Sequence, residues 1–151
     1  MRRMKMLLLG VLLTPTAAFA TEGSVAPGEI SIGGVALGDS PSEVIRKLGE
    51  PRRKEETADF LDLHYHYSNL QVSFSDDVVA GLHTDHPTAC TPMRLCPGDR
   101  LDKMRSLYGP PAIADREQGI RYEYSAPDVF CWLEIAPKGQ RIASIAVACQ
   151  P

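Results

Sequence analysis

The sequence reads as an α+β protein: two tandem helix-plus-three-strand antiparallel repeats, packed as one body with the helices on one face of the sheet. Three observations carry this. Leu37–Pro51 is echoed by Pro97–Pro111 at constant spacing, with Gly38/Gly98, Asp39/Asp99, Gly49/Gly109 and Pro51/Pro111 identical. Alternating stretches follow each copy. LHYHYS (Leu63–Ser68) is echoed by IRYEYS (Ile120–Ser125), and Leu70–Phe74 by Cys131–Ile135. A third pair, Val79–Thr84 and Ile142–Val147, closes each copy. Internal self-similarity comes first in the reading because it sets the architecture. Each copy is short for a core of its own, so the two are expected to share one.

Residues 1–20 read as a signal peptide. Arg2, Arg3 and Lys5 form a basic head, Met6–Leu13 an apolar run, and Ala18-Phe19-Ala20 a small-residue cleavage site. The run is too short to span a bilayer. The residue after the expected cut is Thr21, not cysteine, so no lipid anchor is expected. Residues 21–29 are expected to form a flexible N-terminal segment. The first repeat is placed at 30–86, a linker at 87–96 and the second repeat at 97–151.

The first helix is punctuated at both ends. Ser40 and Glu43 form an S-x-x-E capping box, and Pro41 suits the first helical position. Arg46 and Lys47 sit at the negative end of the helix dipole. Gly49 can take a left-handed terminal position and Pro51 stops the helix. Val44, Ile45 and Leu48 form its apolar stripe; Leu101, Met104, Leu107 and Tyr108 form the second. Such short helices need an apolar support.

The strands offer it by alternation. Leu63, Tyr65 and Tyr67 share one face, and Ile120, Tyr122 and Tyr124 the matching one. Leu70, Val72 and Phe74 correspond to Cys131, Leu133 and Ile135. In the third strands the apolar spacing is i, i+3 (Val79/Leu82 and Ile142/Ile145), which a β-bulge would explain.

The four cysteines, Cys90, Cys96, Cys131 and Cys149, read as two disulfides in an exported chain. Cys131–Cys149 has a geometric argument. The antiparallel register that opposes them also opposes Leu133 to Val147 and Ile135 to Ile145. Cys90–Cys96 follows by elimination.

The formal net charge is −3, and the leader carries three cations and no acid. Nucleic-acid binding would need a basic face. No further apolar segment is long enough to span a membrane. No G-x-S-x-G, H-E-x-x-H, Walker loop or G-x-G-x-x-G occurs. The chain reads as non-enzymatic and without a cofactor. Arg52-Arg53-Lys54-Glu55-Glu56 reads as a solvated loop.

His64 and His66 flank Tyr65 and point to one strand face. The tyrosines recur in the second copy, whereas the histidines are replaced by Arg121 and Glu123. That face is therefore expected to be solvated, with Tyr65, Tyr67, Tyr122 and Tyr124 buried beneath it. Alternation turns Phe130, Trp132 and Glu134 to the same solvated side. Trp132, the single tryptophan, is the expected anchor, because tryptophan concentrates at interface hot spots. The expected partner-binding residues are Trp132, Phe130, His64, His66, Arg121 and Glu123. The alternative is a metal pair formed by His64 and His66, since H-x-H on a strand can offer two imidazoles.

The run Gly38-Asp39-Ser40-Pro41-Ser42-Glu43-Val44, then Leu48-Gly49-Glu50-Pro51, then Leu63–Tyr67 and Val72-Ser73-Phe74, resembles the SmpA/OmlA (BamE-like) family. Its tandem arrangement resembles the β-lactamase inhibitory protein fold. Two departures stand out: there is no lipoprotein cysteine, and Arg100 replaces the Ser40 cap. The resemblance implies an exported protein-binding module, an inhibitor or an envelope-assembly accessory. Its partner would be an envelope or extracellular protein, met in the periplasm or after secretion.

Overall fold

The protein is described by a computed structural model covering residues 22–150. The signal-peptide reading and its cut after Ala20 lie outside the described residues. A short 3-10 turn, Pro27–Glu29, leads into the two-stranded sheet of β1 (Ser31–Ile32) and β2 (Val35–Ala36). Then come α1 (Pro41–Leu48), β3 (Arg53–Glu56), β4 (Leu63–His66), β5 (Gln71–Ser75) and β6 (Val78–Thr84). The second half runs α2 (Leu101–Tyr108), β7 (Ala112–Arg116), β8 (Gly119–Ser125), β9 (Cys131–Lys138) and β10 (Arg141–Cys149).

The expected helix-plus-three-strand repeats are corrected by this order. Four strands follow each helix, and all eight form one antiparallel sheet in the order β3-β4-β5-β6-β10-β9-β8-β7. The molecule is mostly β, with two short helices laid on that sheet. The unexpected strands are its edges. β3 is RKEE, the stretch read as a solvated loop, and β7 is AIADR. Neither strand is buried on either face, so neither leaves a two-residue apolar rhythm. Backbone pairing to β4 and β8 makes them strands.

One face of the sheet carries the core. Tyr65, Val72, Leu82, Val147, Leu133 and Tyr124 form a continuous cross-strand row, each at most 5% exposed. Val44 of α1 and Met104 of α2, both fully buried, pack into the same cluster. The two helices are moored alike. Tyr67 donates its hydroxyl to the Gly49 carbonyl at 3.0 Å, and Tyr124 donates to the Gly109 carbonyl at 2.7 Å. These bonds satisfy carbonyls that a helix end leaves without a partner. At the helix starts, Gly38 N–H donates to Val79 O and Gly98 N–H to Ile142 O. Asp39 and Asp99 accept the amides of Ala36 and Cys96 and the ammonium groups of Lys47 and Lys103. Burial raises the Asp39 pKa, but Lys47 and the Ala36 amide outweigh it and hold the carboxyl below its usual range.

The i, i+3 apolar spacing comes from bulges. Ser73 pairs with Gly81 and Phe74 with Val79, which leaves Ala80 as the extra residue. In β10, Ile142 pairs with Pro137 and Ser144 with Ala136, which leaves Ala143 over. Each extra residue resets the alternation, so Val79 and Leu82, like Ile142 and Ile145, all reach the core.

The disulfides are Cys90–Cys96 and Cys131–Cys149. The second joins directly paired residues of β9 and β10. Two connecting stretches are more deeply packed than expected. The 22–29 stretch, read as flexible, is tied to the second half: Gly23 N–H donates to Pro110 O, Ser125 N–H to Gly23 O, and Val25 N–H to Ser125 O. Val25 is buried. The 87–96 linker contributes Ala89, Thr91 and Leu95 to the interior, and the Thr91 hydroxyl lies 2.7 Å from that of Tyr108.

Candidate binding face

The sheet's other face carries no helix. Its central strands carry small residues there, Ser73, Gly81, Ala146 and Ala148, which make a low floor; Ser73 and Gly81 are buried, and Ala146 and Ala148 half-buried. Bulkier groups stand on both sides. On one side His66 pairs with Arg53 and Gln71, and His64 with Glu55 and Ser73. On the other, Trp132 pairs with Ala148 and Ser125, and Glu134 with Ala146 and Glu123.

The polar groups satisfy one another. His66 Nε2 lies 3.0 Å from Glu55 Oε2 and 3.0 Å from an Arg53 nitrogen. His64 Nδ1 lies 2.8 Å from Ser73 Oγ. Arg116 Nε donates to Glu123 at 3.0 Å, and Arg121 pairs with Glu134 at 3.3 Å. The Arg116 guanidinium also stands 5.9 Å over the Trp132 ring. Hydrogen bonds from His66 and Arg53 hold the Glu55 carboxyl below its ordinary pKa, and Glu123 holds the Arg116 guanidinium above its own.

These pairs correct the expected burial. His64, His66, Arg121 and Glu123 were expected to be largely exposed, yet all are half-buried; the Arg121 and Glu123 side chains are only 14% and 15% exposed. Long charged side chains lie flat along a sheet and cover one another's stems. Tyr67 and Tyr122 are half-buried rather than buried, unlike Tyr65 and Tyr124. Tyr122 pairs with the buried Ile135 and packs against the core, with the Arg105 guanidinium of α2 over its ring at 5.4 Å.

The six residues expected to bind a partner fall into separate groups. His64 and His66 stand on β4, with ring centroids 6.4 Å apart. Trp132, Arg121 and Glu123 lie across the small floor on β8 and β9. Phe130 precedes β9 and projects from the end of the sheet, 79% exposed. Trp132 is half-buried under Arg116, and its indole Nε1 is enclosed without an acceptor. Among the described residues, no three His, Cys, Asp or Glu side chains converge as metal ligands would. His83 shares the His66 row, with Gln71 between them.

Alternation places Glu134 on this face but does not reveal its partner Arg121, and no pattern in the sequence singles out Arg116, which pairs with Glu123 beside Trp132. The β3–β4 connection is likewise absent from the expected site. Leu61 of that connection folds over the floor, its Cδ1 3.5 Å from where a Cβ on Gly81 would stand. Phe60 beside it is 52% exposed. The sequence TADFLD offered one signal, two large apolar residues set between acids. An open depression of about 420 Å³ lies elsewhere, between the β1–β2 hairpin and the Cys90 loop; Arg94 is its one charged lining residue. No described helix is long and apolar enough to cross a membrane.

No protein-family model and no curated protein matches this sequence. Solved structures do resemble its fold. An extracellular protein containing an SCP domain from Bacillus anthracis matches with a TM-score of 0.59 at 10% identity, over 92% of this chain and 50% of that one. A DUF4309 family protein, YjgB, from Bacillus subtilis matches at 0.54 and 16% identity, over 78% of this chain and 83% of its own. A cysteine-rich secretory protein from Staphylococcus aureus matches at 0.51 and 10% identity, over 76% of this chain and 43% of its own. The chain thus spans about half of the first of these proteins. At such identities the likeness is one of fold.

These neighbours correct the SmpA/OmlA and β-lactamase inhibitory protein resemblance. The residues that suggested it are a capping box, a glycine terminus and a proline stop. They describe a short capped helix, not the sheet on which it rests. The two disulfides fit an exported protein, since such bonds form and persist in oxidising compartments.

Proposed function

We propose that this chain is an exported, non-enzymatic protein-binding module, working in the periplasm or outside the cell. Its docking surface is the helix-free sheet face together with the apolar rim where β9 begins. One observation carries the reading: Phe130 is 79% exposed at the end of the sheet, beside the half-buried Trp132 of the face that carries no helix. A large aromatic held in water is a standing cost unless it is covered part of the time, and aromatics supply much of the energy of protein interfaces. The internally paired polar groups around Trp132 suit a preformed surface, because docking need not order them anew.

The test is site-specific photocrosslinking in intact producing cells. A crosslinker at Phe130 should give a discrete protein adduct that is absent when the crosslinker replaces Asp102 on the exposed side of α2. The same adducts from both positions would overturn the assignment of the surface.

A further inference from the structure

The protein-binding reading leaves the partner's chemistry open, and the end of the sheet that Phe130 occupies narrows it. Register places the strand ends Glu56, Leu63, Ser75, Val78, Ser125 and Cys131 at one end of the sheet. The connections emerging there are 57–62, 76–77 and 126–130. They carry Asp59, Asp62, Asp76, Asp77 and Asp128, and no lysine or arginine. Among the described residues none of these five carboxylates joins an ion pair, whereas Arg53, Arg116 and Arg121 on the open face are all paired with glutamates.

The same connections carry the exposed aromatics, Phe60 at 52% and Phe130 at 79%, with Val129 at 37%. Leu61 reaches over Gly81 of β6, and β6 lies two strands from β9. The Phe60 loop is therefore about 10 Å, two strand spacings, from the strand that Phe130 enters. One partner segment can touch both.

On this ground, resting on the protein-binding reading, we infer that this end takes a cationic, apolar segment of a partner protein. Unpaired carboxylates around aromatics attract and orient a basic segment, and the aromatics supply contact area once it arrives. An anionic membrane surface would be repelled by the same five charges. Asp76, Asp77 and Asp128 also hold left-handed backbone (φ 51°, 61° and 64°), where glycine or asparagine is the more usual occupant.

The experiment titrates the full chain with two synthetic peptides, one alternating lysine and leucine and the other glutamate and leucine. The lysine peptide should bind at least about tenfold tighter and weaken as salt rises. Phe130→Ser and Asp128→Asn should each weaken it about tenfold, while Asp102→Asn on α2 should leave it unchanged. Asparagine tolerates left-handed backbone, so Asp128→Asn should keep the turn. Equal binding of both peptides, or equal loss in Asp102→Asn, overturns the inference. So does tighter binding to phosphatidylglycerol vesicles than to the lysine peptide. If Phe130 crosslinks a protein in cells yet the peptides are not distinguished, the charge inference fails and the protein-binding reading stands. If neither crosslink nor peptide preference appears, both fail.

Discussion

Tyr124 lies fully buried beneath α2, with its hydroxyl 2.7 Å from the Gly109 carbonyl and its ring 5.4 Å from that of Tyr108. Ring and hydroxyl serve separate ends: the ring fills the core row, and the hydroxyl closes the helix. Tyr124→Ala should destabilise by about 3–5 kcal/mol in urea unfolding, as large-to-small core changes do. Tyr124→Phe should cost about 1 kcal/mol, the net worth of one hydrogen bond. Tyr122→Ala should cost less than Tyr124→Ala, because Tyr122 is only half-buried. Equal losses would mean that the helices do not cover the Tyr124 row.

Burial pushes the Tyr124 phenol up to about 12, and burial likewise pushes Tyr108 upward. A raised folded-state pKa means that the folded protein holds its proton where the unfolded chain has lost it. That contribution is fully present below the ordinary tyrosine value of about 10 and is lost as pH rises through the folded value. Stability should therefore fall above about pH 10. Tyr124→Phe and Tyr108→Phe should flatten that fall, as read from urea midpoints between pH 9 and about 11.5. An unchanged slope in both variants would refute the assignment.

Gly23 has a left-handed φ of 67°, and a Cβ there would lie 2.8 Å from the Cβ and amide nitrogen of Ala112. Gly34 has a φ of 82° with open space around it. Gly34→Ala should thus cost only backbone strain, about 1 kcal/mol. Gly23→Ala should cost more and release the 22–25 stretch. The readout is faster hydrogen exchange at the Ser125 amide, which donates to Gly23. Equal costs would mean that the contact with Ala112 yields freely.

The disulfides close loops of unequal length, with sequence separations of 18 and 6. Replacing Cys131 and Cys149 by serine should cost about 3 kcal/mol and replacing Cys90 and Cys96 about 2, from the chain entropy returned to the unfolded state. Urea unfolding of the two double variants checks the order.

Trp132 Nε1 is enclosed without an acceptor. Trp132→Phe removes that stranded donor and should change stability by less than about 1 kcal/mol. Trp132→Ala also removes the platform under Arg116, and should cost about 1–2 kcal/mol. Losses of the same size in both variants would place the value of Trp132 in its nitrogen.

Wherever the chemistry is local, the amino-acid order was enough. Ser40, Glu43, Gly49 and Pro51 bound α1, because caps and terminators act within a few residues. The capping box is present, with Glu43 accepting from the Ser40 amide at 2.7 Å. The opposition of Cys131, Leu133 and Ile135 to Cys149, Val147 and Ile145 was equally legible, since one register satisfies three pairs. The odd spacing of Val79 and Leu82 announced a bulge because both residues are apolar and both must reach the core.

The edges and the open face depended on distant parts of the chain. β3 and β7 bury neither face, so no apolar rhythm marks them; they are strands because β4 and β8 offer backbone partners. The joining of β6 to β10 lets the two halves share one sheet, and no local signal specifies that contact. Arg121 finds Glu134 across β9, and Arg116 finds Glu123 across β8, so side chains that looked free to solvent lie flat and paired. Likewise the acids and aromatics of 57–62 and 126–130, far apart along the chain, gather at one end only because eight strands fall into register.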